Sequence, residues 1–259
     1  MKIPIFQIDA FTDKVFAGNP AAVCPLEYWL EDEVLQNIAA ENNLSETAFF
    51  VDRGDFFQLR WFTPQTEVDL CGHATLATAY VIMHSIKPEL EEVRFGSPAG
   101  ELTVRRNNEL YSMDFPAHPP EKCEIPESLI TGLNREPVEV LASNYYLAVY
   151  DSEDEVRQLN PYMRSLKELD RLAVIATARG DKADFVSRFF APAVGIPEDP
   201  VTGSAHCTLI PYWAKKLGKT KMRARQVSFR GGEIFCEFQD KRVIIAGKAT
   251  LYLEGTIKI

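Results

Sequence analysis

The chain has no apolar stretch long enough to cross a bilayer, and its start lacks the uninterrupted apolar segment and cleavage site of a signal peptide. Its five cysteines are an odd number and lie far apart, so we expect free thiols rather than the disulfide framework of a secreted protein. The formal charge of −9 argues against a nucleic-acid partner, which would need clustered Lys and Arg. These absences predict a cytoplasmic protein that binds neither membranes nor nucleic acids.

Motifs for common cofactors are also missing. There is no phosphate-binding loop or dinucleotide fingerprint, because Gly231-Gly232 lies between predicted strands rather than before a helix. Two Cys-His groups could converge on a metal ion, but their spacings match no zinc motif. They consist of Cys71 with His73 and of His206 with Cys207. We therefore expect neither a metal nor an organic cofactor.

What the chain does contain is an internal repeat. In each copy a Phe-X-Pro segment leads through an Asp to a turn of small residues, and the turn opens onto an apolar helical run. The two turns are Cys71-Gly-His-Ala-Thr75 and Gly203-Ser-Ala-His206. From the helix-opening glycine to the next hairpin glycine there are 28 residues in the first copy (Gly72 to Gly100) and 29 in the second (Gly203 to Gly232). This common register predicts two similar αβ units.

Unit boundaries follow from composition. Three prolines in the segment 116–120 indicate a linker, so we predict a first unit of residues 1–116, joined by a final strand at 251–259, and a second unit of residues 117–250. We also predict a surface helix over Trp29–Asn43 after a turn-rich loop over Thr12–Pro20.

Each unit is predicted to have one central helix. Ala74–Ile86 is apolar nearly all round, which suits a helix enclosed by a sheet. The second run, Thr208–Leu217, contains Pro211, so this helix is kinked or its regular part starts late.

The two small-residue turns predict a binding site for an anion. Backbone N–H groups in the first turn of a helix have no intrahelical acceptor, and they lie at the positive end of the helix dipole. We expect the two helix starts to face each other across a cleft that holds the carboxylate of a small metabolite. The residues assigned to substrate binding are Asn19, Cys71, Gly72, Ala74 and Gly203.

Four residues are candidates for chemistry. Glu46 stands where an apolar, β-prone run begins, and a partly desolvated carboxylate can both accept and return a proton. The other candidates are His73, Asp199 and Ser204. Simpler interpretations stay open for all four, since Glu46 could lie at the rim of the core. His73 could cap its helix, Asp199 could form a turn before Pro200, and Ser204 could be only a helix N-cap.

Six motifs in order resemble the PhzF-like family of phenazine biosynthesis. They are Asp9-Ala-Phe-Thr12, Gly18-Asn-Pro-Ala-Ala-Val23, Asn43-Leu-Ser-Glu-Thr-Ala-Phe49, Arg60-Trp-Phe-Thr-Pro64, Leu70-Cys-Gly-His-Ala-Thr75 and Glu198-Asp-Pro-Val-Thr-Gly-Ser-Ala-His206. The resemblance runs nearly end to end. It implies an α+β fold like that of diaminopimelate epimerase, in which two similar units related by a pseudo-twofold each wrap a mostly antiparallel sheet around a central helix.

The same resemblance implies a cofactor-independent isomerase that works by proton transfer and forms a homodimer. It makes Glu46 the acid/base, with His73, Asp199 and Ser204 positioning the substrate and protons.

Two alternatives stay open beside this function. A racemase of the epimerase type uses two facing thiols, one from each half. Cys71 matches the first thiol, but Thr202 precedes Gly203 in the second copy, and Cys207 lies inside the helix. We therefore rank a single-carboxylate isomerase above a racemase. The other alternative is a binding or scaffold protein that has the fold without turnover.

Overall fold

The structure is a computed structural model that describes residues 1–259. The chain divides into two compact units, residues 1–114 with 246–259 and residues 115–245. The first boundary lies two residues before the predicted one, and the second lies five residues earlier, inside the strand Arg242–Gly247. No helix combines the length and apolar character that a bilayer span requires.

The first unit contains two helices and most of the strands that surround them. Its elements in chain order are β1 (Lys2–Ala10), β2 (Asn19–Leu26), α1 (Asp32–Asn42), β3 (Glu46–Asp52), β4 (Phe57–Phe62), β5 (Glu67–Val68), α2 (Gly72–Val81), β6 (Glu92–Ser97), β7 (Gly100–Asn107) and β8 (Leu110–Pro116). The strands pair antiparallel except for β2 with β3 and β4 with β6.

The second unit follows the same plan. Its elements in chain order are β9 (Glu121–Lys122), α3 (Glu127–Leu133), β10 (Glu139–Ala142), β11 (Tyr146–Val149), α4 (Glu153–Gln158), α5 (Met163–Leu166), β12 (Val174–Arg179), β13 (Phe185–Phe190), α6 (His206–Leu217), β14 (Lys221–Gln226), β15 (Gly232–Gln239) and β16 (Arg242–Gly247). The last strand, β17 (Ala249–Lys258), pairs antiparallel with β1 of the first unit.

The two pairing schemes have the same order. From β1 to β7 the pairs run antiparallel, parallel, antiparallel, parallel and antiparallel, when the two-residue β5 is left aside. From β10 to β15 the pairs run in the same sequence. The helices α2 and α6 occupy equivalent places, before the second strand of the second parallel pair. The repeat in the sequence is therefore a repeat of topology.

Helix α2 is enclosed by its sheet. It contacts β1, β2, β3, β7 and β17, and every side chain from His73 to Ala79 is buried. Apolar burial of this extent is the main stabilising contribution to a helix that has no polar face. The regular helix ends at Val81, earlier than predicted, because the chain continues as a π-helical turn over Ile82–Ile86. In that turn the N–H of Lys87 bonds the carbonyl of Ile82 at 2.7 Å.

Two further expectations for the first unit are wrong. The loop predicted over Thr12–Pro20 ends earlier, because β2 begins at Asn19. Pro20 and Pro25 cannot donate to a sheet ladder, so they weaken the sequence pattern of a strand. The strand β2 is nevertheless paired on both sides, with β1 and β3. Helix α1 begins at Asp32 rather than Trp29, whose indole N–H instead donates to Gln58 Oε1 at 3.0 Å.

Helix α6 also differs from expectation at its start. It begins at His206, two residues before the predicted run, and Gly203–Ala205 form a turn that precedes it. The helix continues through Pro211, which has no N–H to give to the carbonyl of Cys207 four residues earlier. The N–H of His118 donates to that carbonyl at 2.8 Å, so the acceptor that the proline leaves open is satisfied from outside the helix.

The enclosure of α2 predicts a large cost for a cavity at its centre. Leu76 is fully buried, so Leu76→Ala is expected to lower the free energy of unfolding by about 2–5 kcal/mol. Chemical denaturation measures this loss. The matched control is Leu253→Ala at an exposed position of β17, where a loss below about 0.5 kcal/mol is expected. Equal losses at the two sites would contradict the enclosed position of α2.

Candidate active site

The starts of three elements meet in the first unit. Glu46 is the first residue of β3, Asn19 is the first of β2, and His73 is the second of α2. The parallel pairing of β2 and β3 sets Glu46 beside Ala21, two residues after Asn19. All three polar side chains are buried. Buried polar groups are usually hydrogen-bonded, and Asn19 bonds both His73 and Ser45.

A chain of hydrogen bonds runs through these residues. Ser45 Oγ donates to Asn19 Oδ1 at 3.3 Å, which orients the amide so that Nδ2 lies 3.2 Å from His73 Nδ1. An amide that donates to Nδ1 leaves the ring proton on Nε2. That nitrogen lies 3.2 Å from Glu46 Oε2. The contact is close but does not have the geometry of a hydrogen bond, so the neutral imidazole lies beside the carboxylate without donating to it.

The ring of His73 is neutral at ordinary pH. Burial lowers the pKa of His73 to about 4, and this effect outweighs the Pro20 carbonyl, which favours the charged ring. The neutral ring therefore places no full positive charge beside Glu46. His73 does not cap α2, because the N-cap position is Cys71, whose side chain makes no cap hydrogen bond.

Cys71 lies on the other side of the imidazole. Its Sγ is 3.5 Å from His73 Nδ1, whereas Glu46 Oε2 is 3.2 Å from Nε2. Potential ligand atoms of these three residues lie within 4.8 Å of one another. This spacing lets the three side chains reach one metal ion, and the absence of a metal stays a prediction.

The second unit brings together Asp199, Thr202 and the turn before α6. Thr202 Oγ1 donates to Asp199 Oδ2 at 2.5 Å, and the Asp199 N–H bonds the carbonyl of Phe189 at 3.0 Å. Ser204 is exposed, and its Oγ accepts a hydrogen bond from the Tyr145 hydroxyl at 3.2 Å. It is not the N-cap of α6, which is Ala205.

The turn itself presents backbone donors. The N–H groups of His206, Cys207 and Thr208 bond the carbonyls of Gly203, Ser204 and Ala205 in a tight i to i−3 pattern. The N–H groups of Gly203, Ser204 and Ala205 lie before the first of these bonds. The second anion site stays a prediction, and its donors would lie in this turn rather than in the helix that follows.

His206 is the first residue of α6, and its side chain lies in the interior, unlike that of the exposed Ser204. It is fully buried, its Nδ1 lies 2.8 Å from the Thr202 carbonyl, and its ring packs against Phe185 with 6.0 Å between centroids. Burial lowers the pKa of His206 to about 4, despite the Thr202 carbonyl, so the ring is neutral and donates to Thr202.

The predicted residues therefore form two groups. One joins Glu46, His73, Asn19 and Cys71 at the start of α2, where Gly72 and Ala74 also lie. The other joins Asp199, Gly203 and Ser204. Asn19 is assigned to substrate binding, and in the structure its side-chain amide bonds the ring of His73.

Sequence reasoning missed the roles of Ser45, Tyr145 and Gln226. Ser45 lies beside Glu46 in one of the resembling motifs, but nothing in that motif sets it apart, and Tyr145 belongs to none of them. Gln226 had a signal, because β14 alternates exposed and buried residues and places this polar residue at an inward position.

Comparison with known proteins decides the family. The family model described as phenazine biosynthesis-like protein, PhzC-PhzF, matches residues 8–255. The chain belongs to this family. It is 53% identical over 259 residues to a protein of Pseudomonas aeruginosa named an uncharacterized isomerase, and the match covers all of both chains. The family is of the isomerase and epimerase type, so the chain is an enzyme of that type.

Solved structures agree with the predicted fold. The crystal structure of a PhzF-family protein from Enterococcus faecalis matches the whole of both chains with a TM-score of 0.98 and 47% identity. A hydroxyproline epimerase from Agrobacterium vitis matches 99% of this chain and 92% of its own with a TM-score of 0.63, at only 8% identity. The second likeness concerns the fold alone, and the predicted epimerase-like α+β fold is confirmed.

The two neutral histidines predict a pH dependence of stability. A histidine with a lower pKa in the folded chain takes up its proton more readily when unfolded. Stability is therefore full above about pH 6.5 and falls as the pH is lowered toward 4, by up to about 3 kcal/mol for each histidine. Urea unfolding at several pH values measures this fall.

Matched variants isolate the contribution of one ring. His73→Gln is expected to make the fall between pH 6.5 and 4 shallower, because one group no longer takes up a proton on unfolding. His84→Gln, at an exposed position, is the control and should leave the slope unchanged. A wild-type slope in the His73 variant would rule out a buried neutral ring.

Proposed function

We propose that this protein is a cofactor-independent isomerase that moves a proton within a small carboxylate-bearing metabolite. Glu46 is the acid/base. The observation that carries the proposal is the buried carboxylate of Glu46, held 3.2 Å from the Nε2 of a neutral His73 at the start of an enclosed helix. The homodimer and the cytosolic location stay predictions.

The first step removes a proton from carbon. Glu46 accepts the proton, and the negative charge left on the substrate spreads into its conjugated carboxylate. The N–H groups of Gly72, His73 and Ala74 lack intrahelical acceptors and lie at the positive end of α2, so they favour that charge. Donors that are fixed before the reaction stabilise developing charge without reorganisation.

The second step returns the proton to another atom of the substrate. Glu46 now carries the proton and gives it back, so no net proton enters or leaves and no external reagent is needed. A neutral His73 suits both steps. Its Nε2 lies 3.2 Å from the carboxylate without the alignment of a hydrogen bond. A charged imidazolium at that distance would favour ionised Glu46 and weaken it as a base. Asp199, Ser204 and the turn at Gly203 hold the substrate.

The hydrogen bonds of Thr202 favour an isomerase over a two-thiol racemase. Thr202 matches Cys71 in the repeat, and its hydroxyl donates to Asp199 Oδ2. An aliphatic hydroxyl does not ionise near neutral pH, so it cannot replace the second thiol as an acid/base. Cys207 is not a substitute, because it is buried within α6 and burial raises the pKa of its thiol to about 12.

Deuterium incorporation tests the proposal while the substrate is still unidentified. The protein is incubated with a metabolite extract in deuterated water, and carboxylates that gain deuterium or change retention are identified by mass spectrometry. Wild-type protein is expected to convert at least one carboxylate into an isomer with a changed retention, which carries deuterium on carbon where the Glu46 carboxyl proton exchanges with solvent before it is returned. A binding or scaffold protein would retain its ligand without converting or labelling it, and that result would remove the isomerase proposal.

Glu46→Gln should lose turnover by a factor of about a hundred or more while still binding the substrate, since the shape is kept and the base is removed. Glu153→Gln is the matched control, because Glu153 is another buried glutamate whose partners are Arg157 and the Asp181 N–H. It should keep turnover. Undiminished turnover in the Glu46 variant would exclude Glu46 from the mechanism.

Cys71→Ser separates the isomerase from the racemase. A serine of similar size keeps a polar atom near His73 Nδ1, so the variant is expected to retain a substantial part of the activity. Turnover is compared with that of wild-type protein on the substrate identified by labelling. Complete loss of turnover in a folded Cys71→Ser variant would favour thiol chemistry instead.

A further inference from the structure

A buried amide lies beneath the candidate site of the second unit. Gln226 ends β14 and is 1% exposed. Its Oε1 accepts the Thr202 N–H at 2.9 Å, and its Nε2 donates to the Asp199 carbonyl at 2.7 Å and to Thr202 Oγ1 at 3.1 Å. One side chain thus bonds the backbone of Asp199 and both the backbone and hydroxyl of Thr202.

These bonds fix the direction of every proton in the group. The Thr202 N–H can only donate and the Asp199 carbonyl can only accept, so the amide of Gln226 has a single orientation that satisfies both. In that orientation Nε2 donates to Thr202 Oγ1 and occupies one of its lone pairs. The hydroxyl proton of Thr202 then lies along its other contact, the Asp199 Oδ2 at 2.5 Å.

The backbone around Thr202 is held as well. The neutral His206 bonds the Thr202 carbonyl at 2.8 Å through Nδ1, and Ser228 Oγ donates to the Pro200 carbonyl at 2.7 Å. Thr202 is itself buried. Its hydroxyl therefore cannot turn toward another acceptor without breaking several bonds at once.

The first copy of the repeat has no buried amide at the equivalent position. Gln226 ends β14 and pairs with Gly232, and in the first copy Ser97 ends β6 and pairs with Gly100, so Ser97 is the residue that matches Gln226. Ser97 is half-buried, and its hydroxyl donates to the Gly100 carbonyl at 2.8 Å. Because the common fold forms without a buried amide at this position, the network in the second copy is not a requirement of the topology.

We propose that Gln226 is a positioning residue that acts through Thr202 to hold Asp199 as an ionised hydrogen-bond acceptor. The functional meaning rests on the proposed isomerase, in which Asp199 then receives a donor group of the substrate. A carboxylate that already accepts a hydroxyl proton is a weaker base, so proton transfer at carbon is left to Glu46.

Two ionisable neighbours of Asp199 are engaged with other partners. The neighbouring Glu198 is engaged by Arg188 in a two-bond ion pair, at 2.7 and 2.9 Å. The Tyr145 hydroxyl donates to Ser204 Oγ, and burial raises the pKa of Tyr145, so it carries no charge near neutral pH.

The test follows the carboxyl carbon of Asp199 by NMR in protein labelled with carbon-13 aspartate, assigned with Asp199→Asn. Thr202→Val keeps the shape and removes the hydroxyl, so it should raise the pKa of Asp199 by about 1 or more. Thr202→Ser restores the hydroxyl and should return the titration to that of wild-type protein. Gln226→Met should raise the pKa as well, because the hydroxyl proton is no longer directed at Asp199.

A matched control and a second measurement keep the test decisive. Thr208→Val removes another buried hydroxyl, one bonded to Ser143 Oγ, and should leave the Asp199 titration unchanged. Hydrogen exchange of the Thr202 amide should be slow in wild-type protein and Thr208→Val but faster in Gln226→Met. This measurement needs no Thr202 variant, so it decides the role of Gln226 even where Thr202→Val does not fold.

An unchanged Asp199 pKa in folded Thr202→Val, or in folded Gln226→Met, would overturn the proposal. So would fast exchange of the Thr202 amide in wild-type protein. None of these measurements uses a substrate. Failure of the isomerase proposal would appear in the deuterium labelling and would leave the titrations as they are.

Discussion

A helix enclosed by a sheet can offer polar chemistry only at its ends, and α2 sets this constraint on the first unit. Its side chains from His73 to Ala79 are buried and it has no polar face. The helix can therefore meet a polar ligand only where its first N–H groups lack intrahelical partners. The starts of β2 and β3 reach the same place, which is why Asn19, Glu46 and His73 converge there. The position of the site therefore follows from the enclosure of α2 by its sheet.

Burial also decides the electrostatics of that site. Taking His73 out of water favours its neutral form, and the neutral ring can accept from Asn19 while no full positive charge lies beside Glu46. A charged ring would have to donate from both nitrogens, and Asn19 Nδ2 would then face a second donor. The amide orientation set by Ser45 and the burial of the ring therefore reinforce each other, because both favour a neutral ring that accepts at Nδ1.

Much of this arrangement could be predicted from sequence, because the repeat fixed which residues occupy equivalent places. The register of Gly72 and Gly203 located both turns, and the all-round apolar pattern identified α2 as an enclosed helix. The missed strand β2 shows the limit of local pattern, since Pro20 and Pro25 mask a strand that is stabilised by pairing with neighbours distant in sequence. The start of α6 was misplaced because a tight turn and the first turn of a helix use the same small residues. Polar partners such as Ser45 and Tyr145 depend on which strands become neighbours, which local sequence does not specify.

The two copies have kept a common topology while their turns have diverged in chemistry. Where the first copy has Cys71 and His73, the second has Thr202 and Ser204, and β12, which matches β3, begins with Val174 in place of the carboxylate of Glu46. Two equivalent bases would suit inversion of one carbon, which needs a proton carrier on each side. Moving a proton between two atoms of one substrate needs a single carrier and a second group that holds the substrate still. An acceptor whose basicity is lowered by a directed hydroxyl suits that second role, so the divergence between the copies itself favours an isomerase with one acid/base.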